Sequence, residues 1–153
     1  MAPVQTPARD LIVQVRDADG TTWLGIAGST NFKLNPSENA EYEETTTRGS
    51  GGAYEEVPMQ RGAMIEIEGR HISDSITGVQ DAGQKRCEDL AAAVGYAGVG
   101  AIRFRHPLAT VWKQWVSPGA VFELSEQGGG NNNMTSWGVK IRRSGVTTTA
   151  AVA

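Results

Sequence analysis

Arg61-Gly-Ala-Met-Ile-Glu-Ile-Glu-Gly-Arg-His-Ile72 alternates apolar with polar side chains through most of its length. Because successive side chains of a β-strand point to opposite faces, this alternation separates two sets of residues. One face carries Ala63, Ile65 and Ile67. The other face carries Met64, Glu66, Glu68 and Arg70. The stretch therefore predicts a strand with one face on the core and the opposite face polar.

Strand-like patterns continue on both sides of this stretch. The further predicted strands are residues 10–16, 21–27 with an extension at 31–34, 101–106, 110–116, 120–126 and 134–143. Asp17-Ala-Asp-Gly20 is typical of a hairpin turn between the first two strands. Ser117-Pro-Gly119 predicts another turn, and residues 144–153 form a small, Thr- and Ala-rich C-terminal arm without a packing face of its own.

One segment has helical spacing instead. Its apolar stripe is Val79, Cys87, Leu90, Ala91 and Val94. This spacing predicts a helix over residues 81–94, with Asp81 as the N-cap and Gly95 as the terminator. About seven strands around one helix predict a mainly β fold, a sandwich or barrel with an accessory helix.

Residues 35–58 break the strand pattern with a long polar excursion. Between Pro36 and Pro58 six glutamates accompany one base, Arg48, so this segment has a net charge of −5 while the whole chain has −3. Connections of this length in compact domains are usually functional or disordered. We therefore expect a loop that reaches a neighbouring subunit, and hence an assembly protein.

Length and composition restrict the class of protein further. A chain of 153 residues predicts a single domain, residues 1–153. The acidic loop on a nearly neutral body lacks the basic patch expected of a nucleic-acid-binding protein. The N-terminus has no signal-peptide pattern, and no stretch is apolar enough to insert into a membrane. We expect synthesis in a cytoplasm.

No catalytic or metal-binding constellation is evident. His71 and His106 lack a metal-ligand spacing, and Cys87 is interpreted as a core residue. Glu66 and Glu68 are neighbours on one strand face, which is typical of a solvated face more often than of paired catalytic carboxylates. We expect no enzymatic activity, no metal and no other cofactor.

Two aromatic features remain open. Trp112 and Trp115 are predicted to face opposite sides of one strand, so a neighbouring subunit is one candidate to bury one of them. The Arg103-Phe104-Arg105 stretch is explained equally well by a subunit interface and by a solvated strand.

Together these residues resemble the major tail tube proteins of long-tailed (siphovirus-type) bacteriophages, particularly phages of actinobacteria. The resemblance rests on Trp23-Leu-Gly-Ile-Ala-Gly-Ser-Thr30, the polar loop after Pro36, Pro58-Met-Gln-Arg-Gly-Ala-Met-Ile-Glu-Ile-Glu-Gly69 and Asp81-Ala-Gly-Gln84. It covers residues 11–143. Ala82 departs from the family pattern, because related sequences are expected to have proline there.

The resemblance implies two packed β-sheets with a flanking helix, assembled as hexameric rings. The inner sheets would join into one barrel, and the rings would stack into the phage tail tube, the conduit for DNA ejection into the host. It implies a virion protein whose partners are itself and other tail proteins, such as the tape measure, initiator and terminator proteins. Genomic DNA would pass through without specific binding.

The same resemblance implies the assembly residues. The 36–58 loop would contact the adjacent ring, and the 144–153 arm would add further contacts. The expected interface residues are Glu41, Tyr42, Glu43, Glu44, Arg48, Tyr54, Glu55, Glu56, Arg142 and Arg143. The expected lumen-facing residues are Met64, Glu66, Glu68 and Arg70.

Three alternatives stay open. The first is another ring-forming tail component or a type VI secretion-like tube protein, which would share the fold. The second is a carbohydrate-binding β-sandwich decoration module, which would expose Trp112 or Trp115 as an aromatic platform. The third is a hydrolase that uses Glu66 and Glu68.

Overall fold

The structure is a computed structural model that describes residues 2–152. Within those residues the chain forms nine strands, one α-helix and three short 3₁₀ turns. The strands are β1 Ile12–Arg16, β2 Trp23–Gly25, β3 Ser29–Asn35, β4 Glu41–Glu44, β5 Glu56–Gln60, β6 Met64–Arg70, β7 Val99–Arg105, β8 Val111–Leu124 and β9 Ser136–Ala151. The helix, α1, is Ala82–Ala92.

Seven strands form one curled antiparallel sheet in the order β2-β1-β7-β8-β9-β6-β3. Strands β2 and β3 adjoin in sequence, yet they lie at opposite edges of this sheet. Strands β4 and β5 form a separate two-stranded hairpin between β3 and β6. The prediction of a mainly β fold with one flanking helix is confirmed.

The apolar faces of the curled sheet enclose the core. Ile65 and Ile67 of β6 are 0% and 2% exposed, as the alternation predicts. Phe104 packs edge-on against Trp115, with ring centroids 5.7 Å apart. The other buried members of this cluster are Val15, Ala63, Cys87, Leu90, Ile102, Ala120, Phe122, Trp137, Val139 and Ile141.

Strand β8 corrects the prediction of two strands separated by a turn. It runs unbroken through Ser117-Pro-Gly119, and its pairing with β9 shifts register between Gln114 and Ser117. Its pairing with β7 also shifts, between Trp115 and Ala120, so Pro118 lies where that ladder is interrupted and its missing N–H is tolerated. The chain therefore continues through the proline as one long strand and does not reverse there.

Strand β9 is likewise longer than predicted. Residues 144–151, expected to lack a packing face, continue the strand and pair with residues 111–119 of β8, from Ser144 opposite Gly119 to Ala151 opposite Val111. Strand pairing needs backbone groups more than large side chains, so the Thr- and Ala-rich sequence permits it. Met1 and Ala153 of the predicted domain and arm lie outside the described residues.

Helix α1 begins as predicted at Asp81, whose carboxylate accepts a hydrogen bond from the Gln84 backbone N–H at 3.1 Å. Cys87 and Leu90 turn into the core. The predicted stripe is wrong at its ends, because Val79 and Val94 lie outside the helix and are exposed. Both residues lie in turn or loop segments, so their spacing in the sequence does not indicate a helix there.

Candidate assembly surfaces

The face of β3, β6, β9 and β8 opposite the core is polar. Direct pairing places Lys33 opposite Glu66, Glu66 opposite Lys140, and Lys140 opposite Glu123. These four residues form a row of alternating charge across four strands, which we call the charge row. Opposite charges directly across a strand pair stabilise it by roughly 0.2–1 kcal/mol each.

The charge row could not be found from the sequence alone. Lys33, Lys140 and Glu123 are far apart in the chain, and they meet because of the register between strands. Strand register depends on the whole sheet, whereas alternation within one strand is local. Even the β6 alternation identifies no more than one member of the row, Glu66.

All four residues predicted to face a lumen lie on this same face of β6. Met64 and Glu66 are half-buried, while Glu68 and Arg70 are exposed. The Asn31 amide donates a hydrogen bond to the Glu68 carboxylate at 3.4 Å. That these residues line a lumen stays a prediction.

An ion pair between Arg142 and Glu123 also lies on this polar face. The Arg142 guanidinium donates a hydrogen bond to the Glu123 carboxylate at 2.7 Å. This hydrogen bond and the positive charges of Arg142 and Lys140 hold the pKa of Glu123 below its usual value. The face carries the bases Lys33, Arg70, Lys140 and Arg142 and the acids Glu66, Glu68 and Glu123. Its charge is therefore mixed.

The acid-rich segment is not a structureless loop, which corrects the sequence-based expectation. Strands β4 and β5 pair from Glu41 opposite Gln60 to Glu44 opposite Glu56, and a short 3₁₀ turn lies near the tip. The excess of glutamate and glycine hid this pairing, because both are uncommon in strands. We call the element, residues 41–60, the acidic hairpin.

The acidic hairpin has almost no contact with the body of the subunit. Every residue of β4 and β5 is exposed, including Val57 at 46% and Met59 at 67%. An isolated two-stranded hairpin is marginally stable in water. Such an element, with apolar side chains in solvent, is typical of one that becomes covered by a partner.

Local hydrogen bonds give the acidic hairpin its shape. The Tyr54 hydroxyl donates to the Glu56 carboxylate at 3.1 Å, and this bond raises the pKa of Tyr54. At its base, Arg61 donates to the Tyr42 hydroxyl at 3.0 Å and lies 5.3 Å from the centroid of that ring.

Eight of the ten predicted interface residues belong to the acidic hairpin. They are Glu41, Tyr42, Glu43, Glu44, Arg48, Tyr54, Glu55 and Glu56. Arg142 and Arg143 lie instead on β9, beside the hairpin base, where the Arg143 backbone N–H donates to the Ala63 carbonyl at 2.9 Å. The Arg143 guanidinium donates to the Thr147 hydroxyl at 2.7 Å. Their part in an interface stays a prediction.

A stack of cations and indoles from β2, β7 and β8 lies on the outer face of the sheet. The Arg103 guanidinium is 4.2 Å from the ring centroid of Trp112 and 4.5 Å from that of Trp23. Arg105 lies 4.8 Å from the Trp112 ring. Partial burial, followed by the charge of Arg105, lowers the pKa of Arg103.

This stack answers the open question about the tryptophans. Trp112 and Trp115 face opposite sides, but they are 6% and 1% exposed within a single chain. The suggestion that a neighbouring subunit is needed to bury one of them is wrong, because arginine side chains cover Trp112. Neither tryptophan offers the exposed platform that a carbohydrate-binding module would use.

Residues 2–152 contain no cluster of three or more His, Cys, Asp or Glu side chains placed to hold a metal ion. Over the same range, no helix has the length and apolar character needed to cross a membrane.

No protein-family model matches the chain, and no curated protein matches its sequence. Its fold resembles that of a chain in the tail of an empty GTA particle, computed with helical refinement in C6 symmetry. That match has a TM-score of 0.70 at 18% identity and covers 96% of this chain and 100% of the other. A chain in the virion of the native gene transfer agent particle matches with a TM-score of 0.67 at 19% identity, over 96% and 100% of the two chains.

A third match comes from an extracellular contractile injection system, the PVC sheath–tube complex in its extended state. Its TM-score is 0.56 at 11% identity, over 97% of this chain and 93% of the other. At these identities the comparisons establish a shared fold.

Proposed function

We propose that this chain is a structural, non-enzymatic tail tube protein. Six copies would form a ring, and rings would stack into the tube of a phage or phage-like particle, through which DNA is ejected into a host. The observation that carries the proposal is the exposed acidic hairpin on a chain of which 96% matches a chain of a C6-symmetric tail. A ring also gives the exposed sheet edges of the subunit a partner.

The polar face of β6 and its neighbours would line the lumen. Each contact between a phosphate and a lysine or arginine adds affinity through counterion release, so a basic wall would retain DNA. In the charge row each lysine stands beside a glutamate. The cations are thereby compensated within the wall, and DNA would pass without specific binding.

The acidic hairpin would reach the adjacent ring. Its glutamates need basic partners there, and Arg48, Arg142 and Arg143 of neighbouring copies are the candidates. In the single chain Arg142 already pairs with Glu123, so this contact would require it to share or exchange carboxylates. Each exposed pair contributes roughly 0–1 kcal/mol, and sixfold repetition makes the sum significant.

We place the protein in a virion, as part of the tail. Its further partners would be the tape measure, initiator and terminator proteins of that tail. The sequence resemblance favours a long, siphovirus-type tail and an actinobacterial host. The 144–151 segment, paired with β8 in the single chain, would add contacts between copies through its other edge.

The experiment is electron microscopy of the purified full-length protein at increasing concentration, with and without tail initiator proteins. We expect rings and tubes. The triple variant Glu43→Lys/Glu55→Lys/Glu56→Lys should form rings that no longer stack, because the hairpin charge is reversed. A protein that stays monomeric in every condition, including those with initiator present, would contradict the proposal.

A second candidate is the inner tube of a contractile system, which the likeness to the PVC sheath–tube complex favours. The two candidates differ in their outer partner. A contractile tube would bind a sheath protein along its outside, whereas a siphovirus-type tube would be left bare. Co-expression with the genes around this one, followed by microscopy of the purified particles, distinguishes them.

A further inference from the structure

Two free strand edges border the sheet that carries the charge row. Strand β3 is the last strand of the seven, and its seven residues are almost entirely exposed. At the other border, Val121 is the last residue of β8 that pairs with β7. Beyond it, residues 122–124 pair with β9 alone among the described residues. Unpaired backbone groups at both borders are templates for another strand.

The strand directions suit a head-to-tail contact between two copies. Strands β3, β6, β9 and β8 alternate in direction, because each pairs antiparallel with the next. When β3 of one copy meets the β8 end of another in the same orientation, the new pair is also antiparallel. A contact of this kind is heterologous, and such contacts generate rings when the rotation closes.

The charges at the two borders are opposite. On the polar face β3 carries Lys33, and none of the described carboxylates forms an ion pair with it. The β8 border carries Glu123, and the exposed Glu126 follows where the chain leaves the strand. Both glutamates line the same polar depression as Glu66 and Lys140. The charge row thus starts with a cation and ends with an acidic group.

We propose that β3 of one copy pairs with the β8 end of a second copy, and that Lys33 against Glu123 and Glu126 fixes the orientation of this junction. The inference rests on the proposed ring and adds the residues that determine how the ring closes. Contact of β3 with β3 would place Lys33 beside Lys33. Contact of two β8 ends would bring four carboxylates together against the two Arg142 guanidiniums that pair with Glu123, which leaves an excess of negative charge. Like charges across an interface disfavour both of these alternatives.

Closure of the ring into a barrel changes which residues of β3 and β8 lie opposite each other. Strands of a closed barrel tilt, so neighbouring strands slip along each other. A slip at the junction moves Lys33 along the β8 end of the next copy. Two carboxylates three positions apart keep an anion within reach over part of that range. The partner of Lys33 is therefore the pair Glu123 and Glu126 of the next copy, and not a single carboxylate oxygen.

The test uses full-length chains with reversed charges. In one variant Lys33→Glu makes both borders acidic, and in the other Glu123→Lys/Glu126→Lys makes both basic. Each variant alone should yield fewer rings, by at least about tenfold at low salt, because like charges meet at every junction. An equal mixture should restore rings, since alternating copies again place a lysine against glutamates. Native mass spectrometry should then show three copies of each variant per ring.

Two controls separate this effect from misfolding. Lys85→Glu makes the same change in net charge on helix α1 and should leave ring formation unchanged. Lys33 is exposed and lies opposite Glu66, so the Lys33→Glu monomer should stay folded and lose no more than about 1 kcal/mol of stability. Its defect should weaken at about 1 M salt, where charges are screened beyond about 3 Å.

These experiments also distinguish a failure of the β3–β8 junction from a failure of the proposed tube function. If the wild type forms rings and Lys33→Glu forms them equally well, the junction is wrong while the tube stands. The junction is also wrong if both variants fold and their mixture forms no rings. If the wild type never assembles, both proposals fail.

Discussion

The side-chain amide of Gln84 donates a hydrogen bond to the backbone carbonyl of Arg70 at 2.8 Å. The same nitrogen donates to the Ala27 carbonyl at 2.9 Å, and the amide oxygen accepts from the Ile72 N–H at 3.1 Å. Gln84 is 0% exposed, so these bonds replace those that water would make. One side chain thus ties the first turn of α1 to the ends of two strand segments.

Replacing Gln84 by alanine should destabilise the fold severely. Three backbone groups would lose their partner in a buried place, and each such loss costs about 1–3 kcal/mol. We expect the free energy of unfolding to fall by about 3 kcal/mol or more in urea titrations. Gln127→Ala, at an exposed position, is the matched control and should change it by less than about 0.5 kcal/mol. A mild effect of Gln84→Ala would mean that water replaces the amide.

Gly83→Ala should destabilise the protein even though alanine favours helices by about 1 kcal/mol. A Cβ at Gly83 would overlap the backbone carbonyl of Gly25, which a side-chain rotation cannot relieve. Gly25→Ala is the control, because its Cβ would point into open space. Thermal unfolding should show a lower midpoint for Gly83→Ala than for the wild type. An equal or higher midpoint would show that α1 can move away from β2.

The Cys87 thiol should resist modification in the folded protein. It lies on the core-facing side of α1 and is fully buried, and burial raises its pKa well above the usual value, so little reactive thiolate forms. Incubation with iodoacetamide at neutral pH should label it slowly in buffer and rapidly in denaturing urea, as followed by mass spectrometry. Rapid labelling under native conditions would indicate that the helix opens readily.

The stability that Asp19 contributes in the turn between β1 and β2 should depend on pH. Its carboxylate accepts hydrogen bonds from the Thr22 hydroxyl and from the Thr21 and Thr22 N–H groups, which lowers its pKa to about 2. The stabilisation is complete above the unfolded pKa of about 4, and it disappears as the pH falls toward about 2. The stability difference between wild type and Asp19→Asn should therefore shrink across that window, as measured by urea titrations at each pH. A constant difference would contradict this assignment.

Local patterns in the sequence predicted local structure well. The two-residue alternation placed Ile65 and Ile67 in the core, and Asp81 marked the start of α1. The Asp17–Gly20 segment does connect β1 to β2, with Gly20 at a φ of +77°. Each of these signals depends on neighbours within a few positions, so a single sequence contains all the information that they need.

Features that depend on distant pairing were not predicted. The β8 bulge exists because β9 holds both sides of Ser117 in one ladder, and the acidic hairpin forms although its residues favour strands weakly. The charge row requires three registers at once. Gln84 gave no signal either, because its bonding partners are backbone groups that the fold brings to it.

The link between β2 and β3 limits the shape of the sheet. These strands occupy opposite edges, yet residues 26–28 alone separate them. Such a link spans at most about 14 Å, whereas the edges of a flat seven-stranded sheet would lie about 29 Å apart. This short link therefore requires the seven-stranded sheet to curl. Each chain acquires its curvature when it folds. A closed wall built from several copies is therefore assembled from subunits that are already curved, and no binding energy is needed to bend them.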